Sequence, residues 1–522
     1  MFVFAPPIPL FPGRAYAGTQ STANVGAVAL VALAMLAGTG VLSPAVRAQP
    51  NAPSPIAASP ESYRDLGRLP LRYFEPAEHG LARQNWDVTQ DANGVIYVAN
   101  LNGVLVYDGV TWTPIEAADG IVRSIGYGFD DKVYVGANSA PGYLQADAQG
   151  ALAFVSLSEH LPAAYRAHSL IYDTVPTDHG VYFATYEGWV FRWDGEQMHV
   201  FDPESPSSAD GYSDLTAIDG EVYASLDQQT LVRLQPDGSH VPLYDLEGNF
   251  RVVVADGPAH VLVPTQRNGL WRCPRTPPAE TAAAAQTNVP MPLAAATACD
   301  RIETDLEALL LSGAVYTAYR LLDGTLAIGF DEQGLALFDT EGRLLRFFDE
   351  AHGLENTEVM RLFQDRDGAL WAALYGGIAR IDTASPVTRF GRAEGLLSLT
   401  PTIAEHGGNL YAGSMIGVHL LDATHQPTRF ERVTQQGVHI NCWGLASTQE
   451  ALLALCGRDV LAVRGRRSEL LWQAPETVYA LAVDPARPTR LFVGGYGGLY
   501  VVEPDGTGAY RTTAQYDTGN PN

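Results

Sequence analysis

Residues 353–382 read GLENTEVMRLFQDRDGALWAALYGGIARID. An apolar run, VMRLFQD, leads into an Asp/Gly turn, DRDG. A second apolar run, ALWAALY, ends at Gly376 and Gly377, and a third, IARID, follows. Short β-branched and aromatic runs parted by Asp-Gly turns every 8–12 residues are the signature of antiparallel strands. A fourth short run, VTRF (Val387–Phe390), is expected to complete this unit. A helical unit of the same length would not carry an Asp-Gly or Asn-Gly turn at its middle.

The same grammar recurs along the chain. Aligning the residue that follows the mid-unit turn picks out Tyr97, Tyr134, Tyr182, Tyr223, Leu262, Ala327, Trp371, Tyr411, Leu453 and Phe492. The steps are 37, 48, 41, 39, 65, 44, 40, 42 and 39 residues. A period near 40 residues with four strands per unit predicts an all-β fold, a β-propeller of four-stranded antiparallel blades with about ten repeats. One such sheet has two apolar faces and cannot cover both alone. Packing each blade on its neighbours does so, and closing the ring protects the edges. The long step contains an Ala/Pro-rich stretch, which is read as a loop insertion over 274–298.

Closure is also written in the sequence. LRYFEPAEHGL (Leu71–Leu81) matches the end of a unit, LLRFFDEAHGL (Leu344–Leu354). Leu71–Phe74 is therefore an orphan fourth strand, expected to join a later blade and lock a ring. Ten units are awkward for one ring. The expectation is one seven-bladed propeller over 69–390 and an incomplete second over 391–522.

Composition sets the class of partner. Lys and Arg total 33 against 58 Asp and Glu, a formal net charge of −25. A field of that sign disfavours nucleic acid and anionic membrane surfaces. Arg14 precedes an apolar run, Val25–Leu42, and SPAVRAQP offers small residues at Val46 and Ala48 for cleavage after Ala48. Residues 1–48 read as an export signal and 49–68 as a linker, which places the chain in the periplasm. An uncleaved anchor is the other reading of that run, and no second run of ~18 apolar residues follows.

Export permits disulfides. Cys442 and Cys456 flank a turn near Gln449, which would set them opposite each other on paired strands. Cys273 and Cys299 bracket the Ala/Pro-rich stretch and could staple its base. Four unpaired buried thiols is the alternative. No CxxC spacing or Cys/His cluster points to a metal, and no cofactor is expected.

The units resemble the two-component regulator propeller family, the extracytoplasmic sensor regions of bacterial hybrid histidine kinases and related receptors. Its pattern is a Gly-Leu, a strand ending in Asp, Gly-x-Leu-Trp, Gly-Gly-Ile and an Ile/Tyr-Asp. The opening stretch fits it closely. NWDVTQDANGVIYVANLNGVLVYDGVTW (Asn85–Trp112) and IVRSIGYGFDDKVYVGAN (Ile121–Asn138) fit its first two blades. The resemblance spans about residues 65–510. It implies a ligand-sensing receptor of two seven-bladed propellers, a Tyr-rich Ig-like domain, a membrane helix and an output kinase, diguanylate cyclase or DNA-binding domain, acting as a homodimer. The later modules are not in this sequence, so the output is expected elsewhere. Contact with a membrane would come through a missing C-terminal segment or an uncleaved signal.

Catalytic signatures are absent: no GxSxG, no HExxH, no P-loop. Gly494–Tyr500 is glycine-rich without matching GxGxxG. Asp365-Arg-Asp367-Gly368 opens like a calcium loop, but Gly376 stands where the twelfth-position Glu is needed, so it reads as a turn. The chain is not expected to be an enzyme. Binding remains. Loops joining second to third strands, and fourth to next first strands, gather on one face of a propeller. On that face Asn85, Trp86, Asn102, Arg123, Tyr186, Arg267, Asn268 and Tyr375 are the candidate ligand residues. Trp and Tyr would stack on a sugar or other flat ligand, and Arg and Asn would fix hydroxyls or carboxylates. The expected partner is a small molecule or oligosaccharide. Two alternatives remain: a free periplasmic propeller that binds a polysaccharide or protein, and a propeller lyase or lactonase.

Overall fold

A computed structural model describes residues 67–517, apart from 118–119, 204–210, 247, 277–297, 423–427, 435–439 and 508. The stretch expected to be an export signal, nearly all of the expected 49–68 linker and most of the Ala/Pro-rich stretch lie outside the described residues. The chain forms two compact units, one of residues 58–394 and 423–429, the other of 395–422 and 430 onward. Ten four-stranded antiparallel sheets account for almost all of both.

Seven sheets make up the first unit. Their innermost strands are Asn85–Gln90, Val122–Tyr127, Ile171–Thr177, Tyr212–Ile218, Val254–Asp256, Val315–Arg320 and Val359–Gln364. Each packs beside the next, and the seventh returns to the first, so the ring is closed. The second unit has three blades, with innermost strands Thr402–His406, Cys442–Ser447 and Val478–Asp484.

The seventh blade corrects one expectation. Val387–Phe390 is not its fourth strand; there, Arg389 alone bridges back to Arg68. The outer position is filled by Leu71–Phe74, which pairs with Gly377–Ile381 in the register Leu71↔Ile381 to Phe74↔Ile378. A strand from the start of the chain thus completes the last blade, which ties the two ends of the ring by a backbone ladder. Phe74 is fully buried there. It stacks on Trp371 at 5.8 Å and meets Tyr107 and Trp112 edge-on at 5.3 Å each. The core between seventh and first blades is built on this cluster.

The recurring residue types now have causes. The turn aspartate of the opening stretch, Asp365, accepts from the backbone N–H groups of Asp367 and Ala369 at 3.0 and 2.8 Å. Its other oxygen accepts from Trp371 Nε1 at 2.7 Å, so the buried indole has a partner. Asp91 does the same in the first blade, holding Val95 N at 2.9 Å and Tyr97 Oη at 3.3 Å. The glycine that opens the third strand has a different task. Gly103, Gly334 and Gly498 have φ of 136°, 92° and 129°. A Cβ on any of them would lie 2.0–2.3 Å from a fourth-strand carbonyl oxygen, so the outer strand can close only over glycine.

Both cysteine pairs are disulfides. Cys273–Cys299 spans the base of the insertion, and Cys442–Cys456 crosses between the first two strands of the ninth blade. Among the described residues no helix is long and apolar enough to cross a membrane.

Candidate functional site

The inner strands of the first unit share a defect. The ladder to the second strand skips Trp86 in the first blade, Arg123 in the second and Tyr172 in the third. It skips Asp214 and Leu215 in the fourth, Tyr316 in the sixth and Met360 in the seventh. In the fifth, Phe250 makes a lone bridge to Thr265 before regular pairing resumes at Val254, and Arg251 follows that bridge. A β-bulge sets two residues against one and re-aims the extra side chain. Here every blade aims one into the central channel. Trp86, Arg123, Tyr172, Asp214, Arg251, Tyr316 and Met360 together line a cavity of about 520 Å³. Tyr186, Gln228 and Gln266, from loops between second and third strands, also line it.

One wall is a buried ion-pair network. Arg361 Nη2 donates to Asp173 Oδ1 at 2.5 Å, and Arg361 Nε lies 3.2 Å from Asp87 Oδ1. This guanidinium reaches from the seventh blade to the third across the channel. Each aspartate also stitches neighbouring inner strands: Asp87 accepts from Ile125 N at 3.1 Å, and Asp173 from Leu215 N at 3.1 Å. Burial pushes the Asp87 carboxyl up, and the charge of Arg361 opposes that. The same two aspartates raise Arg361 against the effect of its own burial.

The other two channel arginines are held differently. The Arg123 guanidinium lies 3.5 Å from the centroid of the Trp86 ring and 4.9 Å from that of Tyr172. Arg251 lies over Tyr316 at 4.8 Å. Aromatic faces attract these cations. Asp214, at φ 52°, is pushed up to about 7, first by burial and then by the charge of Asp173, with Arg251 opposing.

Of the eight residues expected at a site, Trp86, Arg123 and Tyr186 line the cavity. Tyr375 stands beside it, its ring edge-on to Trp86 at 6.0 Å. Asn85 is fully buried, and its amide donates to Gly377 O at 2.9 Å and accepts from Asn100 at 2.8 Å, so it joins the first blade to the seventh. Asn268 donates to Leu246 O at 2.8 Å, which ties its turn to the segment leaving the fourth blade. Asn102 and Arg267 are exposed turn residues away from the cavity lining. Sequence reasoning passed over Tyr172, Asp173, Asp214, Arg251, Tyr316 and Arg361. A signal existed: Trp86, Arg123, Arg251, Tyr316 and Met360 each stand eleven residues before the aligned second-strand residue of their unit.

The fold is thus that of a β-propeller with an arginine- and tyrosine-lined channel. Among solved structures it is similar to the extracellular domain of a hybrid two-component system of B. thetaiotaomicron, with a TM-score of 0.60 and 14% identity over 87% of this chain. This chain spans 61% of that domain. The extracellular domain of a one-component system of the same organism superposes at 0.44 with 13% identity, covering 88% of this chain and 62% of its own. A streptogramin B lyase superposes at 0.45 with 11% identity, covering 60% of this chain and 97% of its own. No family model and no curated protein matches the sequence.

Proposed function

We propose that this chain is the ligand-sensing propeller region of an exported bacterial signalling receptor. The observation that carries it is the channel cavity, to which all seven blades contribute a re-aimed side chain. Bulges that serve only closure would not need aromatic, cationic and amide groups converging on one space. The size lies within the range of small-molecule sites, roughly 300–1,000 Å³. The likeness to an extracellular domain of a two-component system supports a role outside the cytoplasm, with the ligand state relayed to an output domain. Thermal-shift screening of the purified chain against a broad panel of sugars, oligosaccharides and small organic acids tests the reading. A hit should raise the melting temperature and lose its effect in Tyr172→Ala. A panel with no stabilising compound counts against sensing at this site.

One observation favours a second reading, a propeller enzyme. Asp214 holds its proton to about pH 7 beside Tyr and Arg side chains, which suits a proton-transfer group. Incubating the chain with lactones and acidic oligosaccharides, followed by mass spectrometry, decides it. Product formation abolished by Asp214→Asn would favour catalysis over sensing.

A further inference from the structure

The channel treats its three arginines unequally. Arg361 is bound by two carboxylates. Arg123 and Arg251 form no ion pair and no side-chain hydrogen bond with any described residue, and only ring faces support them. This occurs in a chain with 58 acidic residues against 33 basic ones, where carboxylate partners are plentiful. Arg123 is partly buried and Arg251 is exposed, and both line the same cavity. Burial disfavours the Arg123 charge, and Asp173, which favours it, acts from beyond ion-pair distance, so holding this cation in the empty protein costs free energy. A bound anion recovers it, and a guanidinium takes a carboxylate through two parallel hydrogen bonds.

The rest of the lining describes the body of the ligand. Tyr172 and Tyr186 stand with ring centroids 5.9 Å apart, and Tyr186 is 52% exposed, a ring face open to a flat or pyranose partner. Gln228 and Asn249, joined to each other at 3.2 Å, present amides suited to hydroxyl groups. Carboxylate, ring and hydroxyls on one small molecule define an acidic sugar.

We propose that the channel cavity binds a uronic acid or short uronate oligosaccharide, its carboxylate taken by Arg123 and Arg251 and its ring laid on Tyr172 and Tyr186. The assignment rests on the sensing reading and narrows it to one ligand class. Arg123 is a binding residue here, and Trp86 beneath it is a positioning residue.

Isothermal titration of the purified chain with glucuronate, galacturonate and their disaccharides tests the proposal, run beside glucose, galactose and the matching neutral disaccharides. Uronates should bind saturably, and neutral sugars at least tenfold more weakly. Arg123→Gln and Arg251→Gln should each weaken uronate binding about 10- to 100-fold, the scale of a lost charge-assisted bond. Arg123→Lys keeps the charge and loses the fork, so it should fall between. Circular dichroism melting of each variant shows whether it is folded. Equal affinity for neutral and acidic sugars overturns the proposal, as does uronate binding untouched by both Gln variants. The sensing reading would survive either result, since its own failure is a flat thermal-shift panel. No uronate binding up to 10 mM, a ceiling set roughly one decade above the 1 mM affinity scale, also overturns it.

Discussion

Arg361 and Asp214 carry opposite electrostatic duties in one cavity. Arg361 neutralises Asp87 and Asp173, both buried, and joins three blades through them. Replacing it with Met keeps much of the volume and strands two carboxylates. Stranding buried charge typically costs about 3–5 kcal/mol. Arg361→Met should therefore lower the urea midpoint sharply at pH 7 and recover part of the loss at acid pH, where the Asp87 carboxyl, pushed up by burial, takes a proton. A loss independent of pH would mean that packing, not charge, is what Arg361 supplies. Asp214 runs the other way. Its pKa in the fold is raised from 3.8 to about 7, so the folded protein holds this proton more tightly than the unfolded chain. Its contribution is fully present below pH 3.8 and is lost as pH rises through 7. The groups that set this are Asp173, which raises it, and Arg251, Arg361 and the Ser213 hydroxyl, which lower it. Asp214→Asn mimics the protonated form and tolerates the positive φ. It should match the parent protein at pH 4 and melt higher at pH 8. Equal melting temperatures at both would show that the carboxyl is solvated as in the open chain.

At the scale of strands, the ring depends on two devices, and the sequence exposed only one. The match between Leu71–Leu81 and Leu344–Leu354 showed that the first strand is a fourth strand without its own blade, because an outer strand followed by Gly-Leu is distinctive in type and order. Val387–Phe390 also looked like a fourth strand, since any short apolar run before a glycine fits that description. Only the competition for one edge, won by Leu71–Phe74, settles it. The site was less legible. A bulge leaves no composition of its own. Tyr172, Arg251 and Tyr316 look like ordinary members of an alternating strand, and the loop-based search reached the cavity only at one loop residue, Tyr186, and at Trp86 and Arg123, which stand at strand starts. Asn85 misled for a related reason: a polar residue at a strand start suggests a ligand, whereas its amide is spent on backbone carbonyls at the closure. The closing strand gives a direct test. Phe74→Ala removes a fully buried ring from the cluster with Trp371, Tyr107 and Trp112. The expected loss is about 3–5 kcal/mol. Hydrogen exchange should quicken first in Leu71–Phe74 and Gly377–Ile381, and the third and fourth blades should stay protected. Uniformly faster exchange would mean that the ring opens as one cooperative unit rather than at this seam.

At the scale of the whole molecule, each compact unit carries one disulfide, which allows the two to be perturbed separately. Cys273–Cys299 lies in the seven-bladed unit, with a sequence separation of 26, and Cys442–Cys456 in the three-bladed unit, with a separation of 14. Cross-links of this span stabilise by about 3 kcal/mol, chiefly by limiting the unfolded chain. The two contributions are similar, but the structures they act on are not. The seven inner strands close on themselves, so every one of those blades has a neighbour on both sides. The ninth blade, with the cross-strand Cys442–Cys456 bond, is flanked by the eighth and tenth within a stack of three. In a stack, loss of one blade removes the support of its neighbours, because stability is close to a sum of nearest-neighbour terms. Calorimetry of the intact chain should therefore show two transitions. The double substitution Cys442→Ser with Cys456→Ser should move the lower one down, and Cys273→Ser with Cys299→Ser the upper. Because the channel cavity is built wholly from the seven-bladed unit, a uronate ligand should raise only the upper transition. A single transition that shifts with either pair would show instead that the ring draws its stability from the blades that follow it.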